Sequence, residues 1–421
     1  MRLFSRLFFT LTLFFLLASS CYALNIPDTL VLKTDFKIWT IKPKSADFYS
    51  EYNKAFFKNL EVKTLSEDIP LIENLINHGL VEGVDIIKIR QYLESKIAPE
   101  VFREREDVTI DMDEEGNVTF EGSGLSGRRL DVGKASIMIK HALEHNVDYL
   151  NLPLIREYSQ VTVLNEDLKQ MGIQELFSSG ETDFSGSPYN RISNINVGLS
   201  KFNGHIIKPG EEFVFGNVLG QVGPETGYKQ ELVIKGDQTV PEYGGGLCQV
   251  STTTYRAILA AGFPVTMRKN HSYAVSYYTP HGLDATVYPP SPDLKFINDS
   301  PAHILMQAFT IGNKAYYNFY GTKDKREVYM IGPYYSGWTS PPPKKTKYSE
   351  NLAPGEVEVL GHAVPGLSAT WYRHVLYNDE IDENTEVRDF LETIFSKYQA
   401  RPNYYVIGAE SVDEEASENG Y

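Results

Sequence analysis

Only two cysteines occur in the 421 residues, Cys21 and Cys248, and the first falls in a segment that reads as an export leader. Arg2 and Arg6 give this segment a positive start. Leu7 to Ala18 is apolar but for Thr10 and Thr12, and Cys21-Tyr22-Ala23 fits a small-x-Ala cleavage pattern. Cleavage after Ala23 leaves a single cysteine, so no internal disulfide can brace the mature chain, and its fold must rest on apolar burial. A lone thiol in an oxidising compartment is an intermolecular partner, an inert buried residue or a working nucleophile. A lipoprotein acylated at Cys21 is the less favoured alternative, because Ala18 stands where Leu or Val is expected. The apolar run is shorter than the ~20 residues of a membrane span, and no other stretch could serve as one. The mature protein is expected outside the cytoplasm, in the cell envelope (periplasm or cell wall).

Charge narrows the partners. The net charge is −15, and loss of Arg2 and Arg6 with the leader takes it to −17. So acidic a chain should not bind nucleic acid by neutralising phosphates, nor adhere to an anionic membrane surface.

With 42% hydrophobic residues, a chain of this length should hold two to four domains and no repeat. We expect a multidomain α+β protein with three parts: a small α+β N-terminal domain, a β-rich α+β central domain of catalytic type and a small β-rich C-terminal module. Within 24–180, the α+β domain is placed at about 60–165. Its expected helices start near Ser66, run over Asp85–Ile97 (Ile86, Ile89, Leu93 and Ile97 on one face), and follow Gly127 (Val132, Ala135, Ile139, Leu143). A hairpin is expected between the last two: Val108, Ile110 and Met112 alternate with polar residues, Glu115-Gly116-Asn117 turns, and Val118 and Phe120 return. The central domain is assigned to 181–325, a linker holding Pro341-Pro342-Pro343 to 326–347, the C-terminal module to 348–410 with a helix near Glu386–Tyr398, and an acidic tail to 411–421.

The segment richest in chemistry is Gly244-Gly245-Gly246-Leu247-Cys248-Gln249. Ser251-Thr252-Thr253-Thr254 follows and leads into an apolar helix closed by Gly262, with Ser251 or Thr252 as the expected N-cap. Cys248 would thus sit at, or just before, a helix N-terminus, where partial positive charge favours a thiolate. Gly244, Gly245, Gly246, Gln249 and Ser251 would form an oxyanion and substrate loop. The bland reading is a glycine-rich turn before a buried structural cysteine. No Gly-Lys-Ser/Thr follows the glycines, which argues against a nucleotide loop.

A base is needed. Of His205, His271, His281 and His303 in this region, His271 is preferred, lying between expected strands Phe263–Met267 and Tyr273–Tyr278; His281 is the alternative base. A return strand antiparallel to the helix would carry His271 back to the level of Cys248. Asp284 or Asp293 could orient the imidazole or simply cap a turn. Cys248, His271, His281 and Asp284 are also zinc-compatible, but their spacing matches no compact metal motif. Neither metal nor cofactor is expected.

These residues resemble the VanW-like family. The likeness runs from Arg191 through Asn194-Ile195, Pro209-Gly210-Glu211-Glu212-Phe213, Gly223-Pro224-Glu225-Thr226-Gly227-Tyr228, the Gly244–Thr253 segment, His271-Ser272 and Gly282-Leu283-Asp284-Ala285-Thr286-Val287 to Asp293-Leu294-Lys295-Phe296-Ile297-Asn298. Two departures, Val214 between Phe213 and Phe215 and the Pro-rich 289–292, do not touch the thiol. The N-terminal unit, with Gly124-Leu125-Ser126-Gly127-Arg128-Arg129-Leu130-Asp131, resembles peptidoglycan-binding-like domains. Leu352–Gly408 resembles glycine-five wall-associated modules.

The resemblance implies L,D-transpeptidase-like acyl transfer between peptidoglycan stem peptides through a thioester on Cys248, without cofactor, metal or nucleotide. An amidase or endopeptidase using the same acyl-enzyme, and a non-catalytic wall-binding protein with an inert Cys248, remain the alternatives.

Overall fold

The computed structural model describes residues 27–34, 36–51, 82–235, 238–377 and 389–408. The leader, the helix expected from Ser66 and the acidic tail lie outside the described residues. Among those described, no helix is long and apolar enough to cross a membrane. The chain is mixed α+β and rich in strands, and its contacts divide it into two units.

The first unit comprises residues up to Glu104 together with Gly127–Glu157. Leu30–Lys33 pairs antiparallel with Ile38–Ile41 and parallel with Tyr149–Asn151. A helix begins at Ile86, where the Asp85 carboxylate accepts the Ile87 and Lys88 amides, and it continues through a π turn to Ile97. A second helix, Val132–Glu144, is capped by Asp131 accepting from the Lys134 amide at 2.9 Å. Both helices turn their expected apolar stripes inward: Ile89, Leu93 and Ile97 pack with Ala135, Ile139 and Leu143 over Leu30 and Leu32. Periodicity alone explains these elements.

The second unit holds Arg105–Ser126 and everything from Tyr158 onward. The expected hairpin is here, with Ile110 opposite Phe120 and Met112 opposite Val118; Gly116 takes the positive φ of its turn. The central elements are β1 (Glu175–Asp183), α1 (Tyr189–Ser200), β2 (Gln230–Lys235), β3 (Gln238–Tyr243), α2 (Leu247–Ala261), β4 (Val265–Met267), β5 (Lys295–Ile297), β6 (Ile304–Ile311) and β7 (Lys314–Gly321). One sheet has the order β1-β7-β6 and ends on Ile206–Ile207; a second runs Glu212–Val214, β5, β4. Between them lies an aromatic core in which Phe263 stacks on Phe177 and Phe296 at 5.2 and 5.6 Å. Each such ring buries ~150 Å² or more, which makes this cluster the main apolar anchor of the unit.

Past Gly321 three long strands form a sheet in the order β8 (Arg326–Thr339), β9 (Gly366–Tyr377), β10 (Phe390–Tyr398). Two expectations differ here. Residues 326–339, read as linker, form the longest strand, and the helix expected over Glu386–Tyr398 is instead β10 from Phe390 onward. In β10 the residues Ile394, Ser396 and Tyr398 are buried and alternate with exposed ones, so a period of two governs the segment. Trp371 of β9 and Ile394 of β10 join the same core as Phe263. A smaller sheet, Lys345–Ser349, Tyr404–Gly408, Val357–Gly361, completes the C-terminal part. Tyr273–Tyr278, expected as a strand, is instead irregular chain ending in a short 3-10 turn at Ser276–Tyr278.

Helix α2 lies directly on β1, with no side chain between them at Gly180. A Cβ there would come within 2.4 Å of the Thr253 carbonyl oxygen and 2.5 Å of the Ala257 amide nitrogen. Polar bonds flank that contact: Ser178 Oγ donates to the Ala257 carbonyl at 2.9 Å, and Thr182 and Thr253 share a hydroxyl bond of 2.6 Å. Gly180→Ala should therefore force helix and strand apart and destabilise the second unit by roughly 1–3 kcal/mol. Equilibrium denaturation of the variant checks this, and an unchanged midpoint would contradict the close approach.

Candidate active site

The turn before α2 is built by glycine. Gly246 adopts φ 115°, and a Cβ on it would meet the Arg191 side chain at 3.0 Å and Ile195 at 3.2 Å. Gly245 has no more room, because a Cβ there would meet the Glu231 backbone at 2.9 Å. From α1, the buried Asn194 amide holds the turn. Its Nδ2 donates to the Gly245 and Lys229 carbonyls, each at 3.0 Å, and its Oδ1 accepts the Lys229 amide at 2.7 Å.

The helix starts at Leu247, four residues before the expected cap, and no side chain caps it. The Leu247 and Gln249 amides bond back to Gly244 and Gly246. The Cys248 amide meets no acceptor among the described residues, as befits the first turn of a helix. The half-buried Cys248 thus carries its sulfur beside a free N–H and the positive end of α2.

His271 meets it. The chain leaves α2 at Gly262, runs out along β4 and brings the imidazole near enough to the thiol to lower its pKa, while the thiol itself points to the Val287 carbonyl, 3.7 Å from the sulfur. The Nδ1 of His271 lies 2.6 Å from Asp284 Oδ2, and its own backbone amide donates to the same oxygen at 2.7 Å. Nδ1 being engaged, Nε2 is the nitrogen left for sulfur. The ring stacks on Tyr278, centroids 4.8 Å apart. Asp284, 1% exposed, also receives Arg268 at 3.4 Å and the hydroxyl of Tyr398.

The electrostatics follow from this series. Burial pushes the Cys248 thiol up, but the hydrogen bond and positive charge of His271 outweigh it and hold the thiol below its ordinary value. Burial pulls His271 down, yet the bonds to Asp284 and Cys248 raise it to about 9. Asp284 is pressed upward by burial and held well below the usual carboxylate range by His271 and Arg268. Both shifts favour the charged forms, thiolate and imidazolium, over the neutral pair.

The other sequence candidates lie elsewhere. His281 sits among aromatic rings, 5.8 Å from that of Tyr398 and 6.4 Å from that of Tyr335, and burial lowers its pKa. Asp293 accepts the Gly216 and Leu294 amides. Gln249 and Ser251, expected in the substrate loop, are fully buried supports. Gln249 receives Arg191 at 2.8 Å, and Ser251 donates to the Ala285 carbonyl at 2.7 Å.

Gly244 and Gly246 do line a cavity of about 1120 Å³, with Cys248 and His271 in its wall. Tyr277, Thr286 and Tyr288, which the sequence did not single out, line it too. The Thr286 hydroxyl is buried there with no hydrogen-bond partner among the described residues. Arg191 closes one side, its guanidinium 4.1 Å from the Tyr277 ring.

Residues 190–320 match the family described as "VanW like protein". The chain is 31% identical over 173 residues to the uncharacterized protein YoaR of Bacillus subtilis, covering 41% of this chain and 56% of that one. It is 26% identical over 147 residues to the vancomycin B-type resistance protein VanW of Enterococcus faecalis, covering 34% and 53%. The chain spans about half the length of these curated relatives. The matched residues lie in the second unit, and the site described above falls among them but for Tyr398. Among solved structures, "Crystal structure of HP0197-G5" aligns with 20% of this chain and 95% of its own at 14% identity, with a TM-score of 0.10. That score is too low to bear on the fold.

The charge state is testable by alkylation. As pH rises the thiol loses its proton below the ordinary thiol range, while the imidazole keeps its own until about 9. The rate of Cys248 with iodoacetamide should rise in the acidic-to-neutral range and then stay level to about that pH. His271→Ala should move the inflection up to about 8.5 or beyond. A wild-type inflection already at the free-thiol value would contradict the pairing.

Proposed function

We propose that this protein is a cell-envelope cysteine acyltransferase acting on peptidoglycan stem peptides, of the L,D-transpeptidase type. The observation that carries the reading is the series Cys248, His271, Asp284 opening onto a cavity of about 1120 Å³, large enough for a peptide. The envelope setting is supported by the VanW-like domain and by a relative titled a vancomycin resistance protein.

In this reading the thiolate attacks the carbonyl carbon of the third stem residue. The oxyanion that forms is met by the Cys248 amide, which has no other acceptor. Imidazolium Nε2 gives its proton to the amine of the departing D-alanine, and a thioester remains on Sγ. A neutral side-chain amine of a second stem then attacks the thioester. His271 takes its proton, the new amide leaves, and the thiolate–imidazolium pair is restored. Asp284 stays ionised throughout and holds the ring in place.

Incubation of the protein with tetrapeptide stems, followed by intact-protein mass spectrometry, tests this. Wild type should gain the mass of the stem less D-alanine, and folded Cys248→Ala should gain none. With a second stem as acceptor, His271→Ala should lose at least about 10² in rate. Cross-linking by a folded Cys248→Ala protein would end the reading.

A further inference from the structure

The family match stops at residue 320, but the contacts that hold His271 and Asp284 do not. They continue into four successive residues, 396–399, at the end of β10 and one position past it. Tyr398 of β10 gives its hydroxyl proton to Asp284 Oδ1 and accepts the Gly282 amide at 2.8 Å, so both capacities of that hydroxyl are used. Ser396, on the same face two residues earlier, donates to the Gly282 carbonyl at 3.0 Å and accepts from Arg268 Nη2 at 2.9 Å. Arg268 in turn reaches the Asp284 carboxylate and, at 2.7 Å, its backbone carbonyl. The strand's backbone completes the grip. The Lys397 carbonyl accepts Asn270 Nδ2 at 2.9 Å, and the Gln399 amide donates to Ser272 at 2.7 Å, one contact on each side of His271.

The geometry of β10 explains how one strand does all this. It is the edge of its sheet, bonded to β9 on one side only, so its outer backbone groups are free for the loop. Its inward residues repeat every second position, which sets Ser396 and Tyr398 side by side over the 282–284 segment. Gly282 sits under Trp371 of β9, where a Cβ would come within 2.7 Å of the indole.

We infer that the C-terminal sheet is a working part of the site, with Tyr398 and Ser396 as positioning residues that fix the Asp284 carboxylate and the His271 loop. This inference rests on the proposed thiolate–imidazolium pair. Asp284 Oδ1 is occupied by Tyr398 and Arg268, which leaves Oδ2 alone to face the imidazole. Burial and the neighbouring Asp284 charge keep the Tyr398 phenol protonated, so it remains a donor over the working pH range. Without the two hydroxyls the carboxylate can turn, the imidazolium loses part of its support, and the thiol titrates higher. A chain cut after β7 would keep Cys248, His271, Asp284 and Arg268 but lose the two hydroxyls that fix Asp284 and its loop from the other side.

The test uses full-length protein and the alkylation profile of Cys248. Tyr398→Phe and, separately, Ser396→Ala should move the inflection upward by about one pH unit, a roughly tenfold slower reaction at acidic pH. Ser396→Thr keeps the hydroxyl and should restore most of the wild-type profile. Thr393→Ala, on the exposed face of the same strand, should leave it unchanged. Folded Tyr398→Phe and Ser396→Ala proteins that both keep a low wild-type inflection would overturn the inference while leaving the proposed function standing. A wild-type inflection at the free-thiol value would instead remove the pair on which both depend. If Tyr398→Phe does not fold, the Ser396→Ala and Ser396→Thr comparison decides.

Discussion

Asp284 has almost no contact with water, and a carboxylate in that position must find its partners inside the protein. It finds them in separate stretches of chain: the amide and ring of His271, the guanidinium of Arg268 and the phenol of Tyr398. Much of the second unit's arrangement can be understood from this requirement. The 268–271 loop has to fold back over α2, and the C-terminal sheet has to lay its inner face against the 282–284 segment. Charge balances along the series as well. In the proposed ion-pair state two negative groups, Asp284 and a Cys248 thiolate, alternate with two positive ones, Arg268 and His271. A balanced row of four can be sheltered from solvent where any single member could not.

The thiol is placed by a different logic. A helix offers its positive end only within the first turn, and Cys248 stands there with its backbone amide unpaired among the described residues. Glycines make this possible: Gly245 lets the turn press against β2 and Gly246 against α1, while Gly244 lies against the side chains of Val222 and Leu247. The sulfur is thus carried by closely packed backbone, and the rest of the cavity wall includes residues of the β2–β3 hairpin and the aromatic side chains Tyr277 and Tyr288.

Much of this could be read from the sequence, and the failures have physical reasons. Stripes of Ile and Leu in the first unit and the alternation around Gly116 mark regular elements, because one face of each is apolar and the other polar. The cysteine stood out because it was alone. Ser251 and Thr252 misled: hydroxyls before an apolar run look like caps, but here the helix has already begun and the hydroxyls point into the core. In Phe390–Tyr398 both faces carry large apolar groups, Leu391 and Phe395 outward, Ile394 and Tyr398 inward. Their spacing of three and four residues imitates a helix, and alternation is hidden when neither side is polar. Tyr398 itself was beyond reach, since nothing local ties a residue to an aspartate 114 positions away.

Helix α2 buries four hydroxyl residues in succession, each with a hydrogen-bond partner. Ser251 donates to Ala285, Thr252 accepts the Ala285 amide, Thr253 bonds to Gln249 and Thr182, and Thr254 bonds to Val250. Apolar surfaces tolerate small slips, since one methyl serves nearly as well as its neighbour. Hydroxyls bonded to another element do not: a shift by one residue would leave the back-bonds of Thr253 and Thr254 within the helix intact but break those of Ser251 and Thr252 to Ala285 and of Thr253 to Thr182, at about 1–3 kcal/mol for each group left unpaired. The row therefore works as a key cut for one lock. It adds little to the strength of packing, but it admits a single seating of the helix, and the sulfur at its tip inherits that all-or-none address.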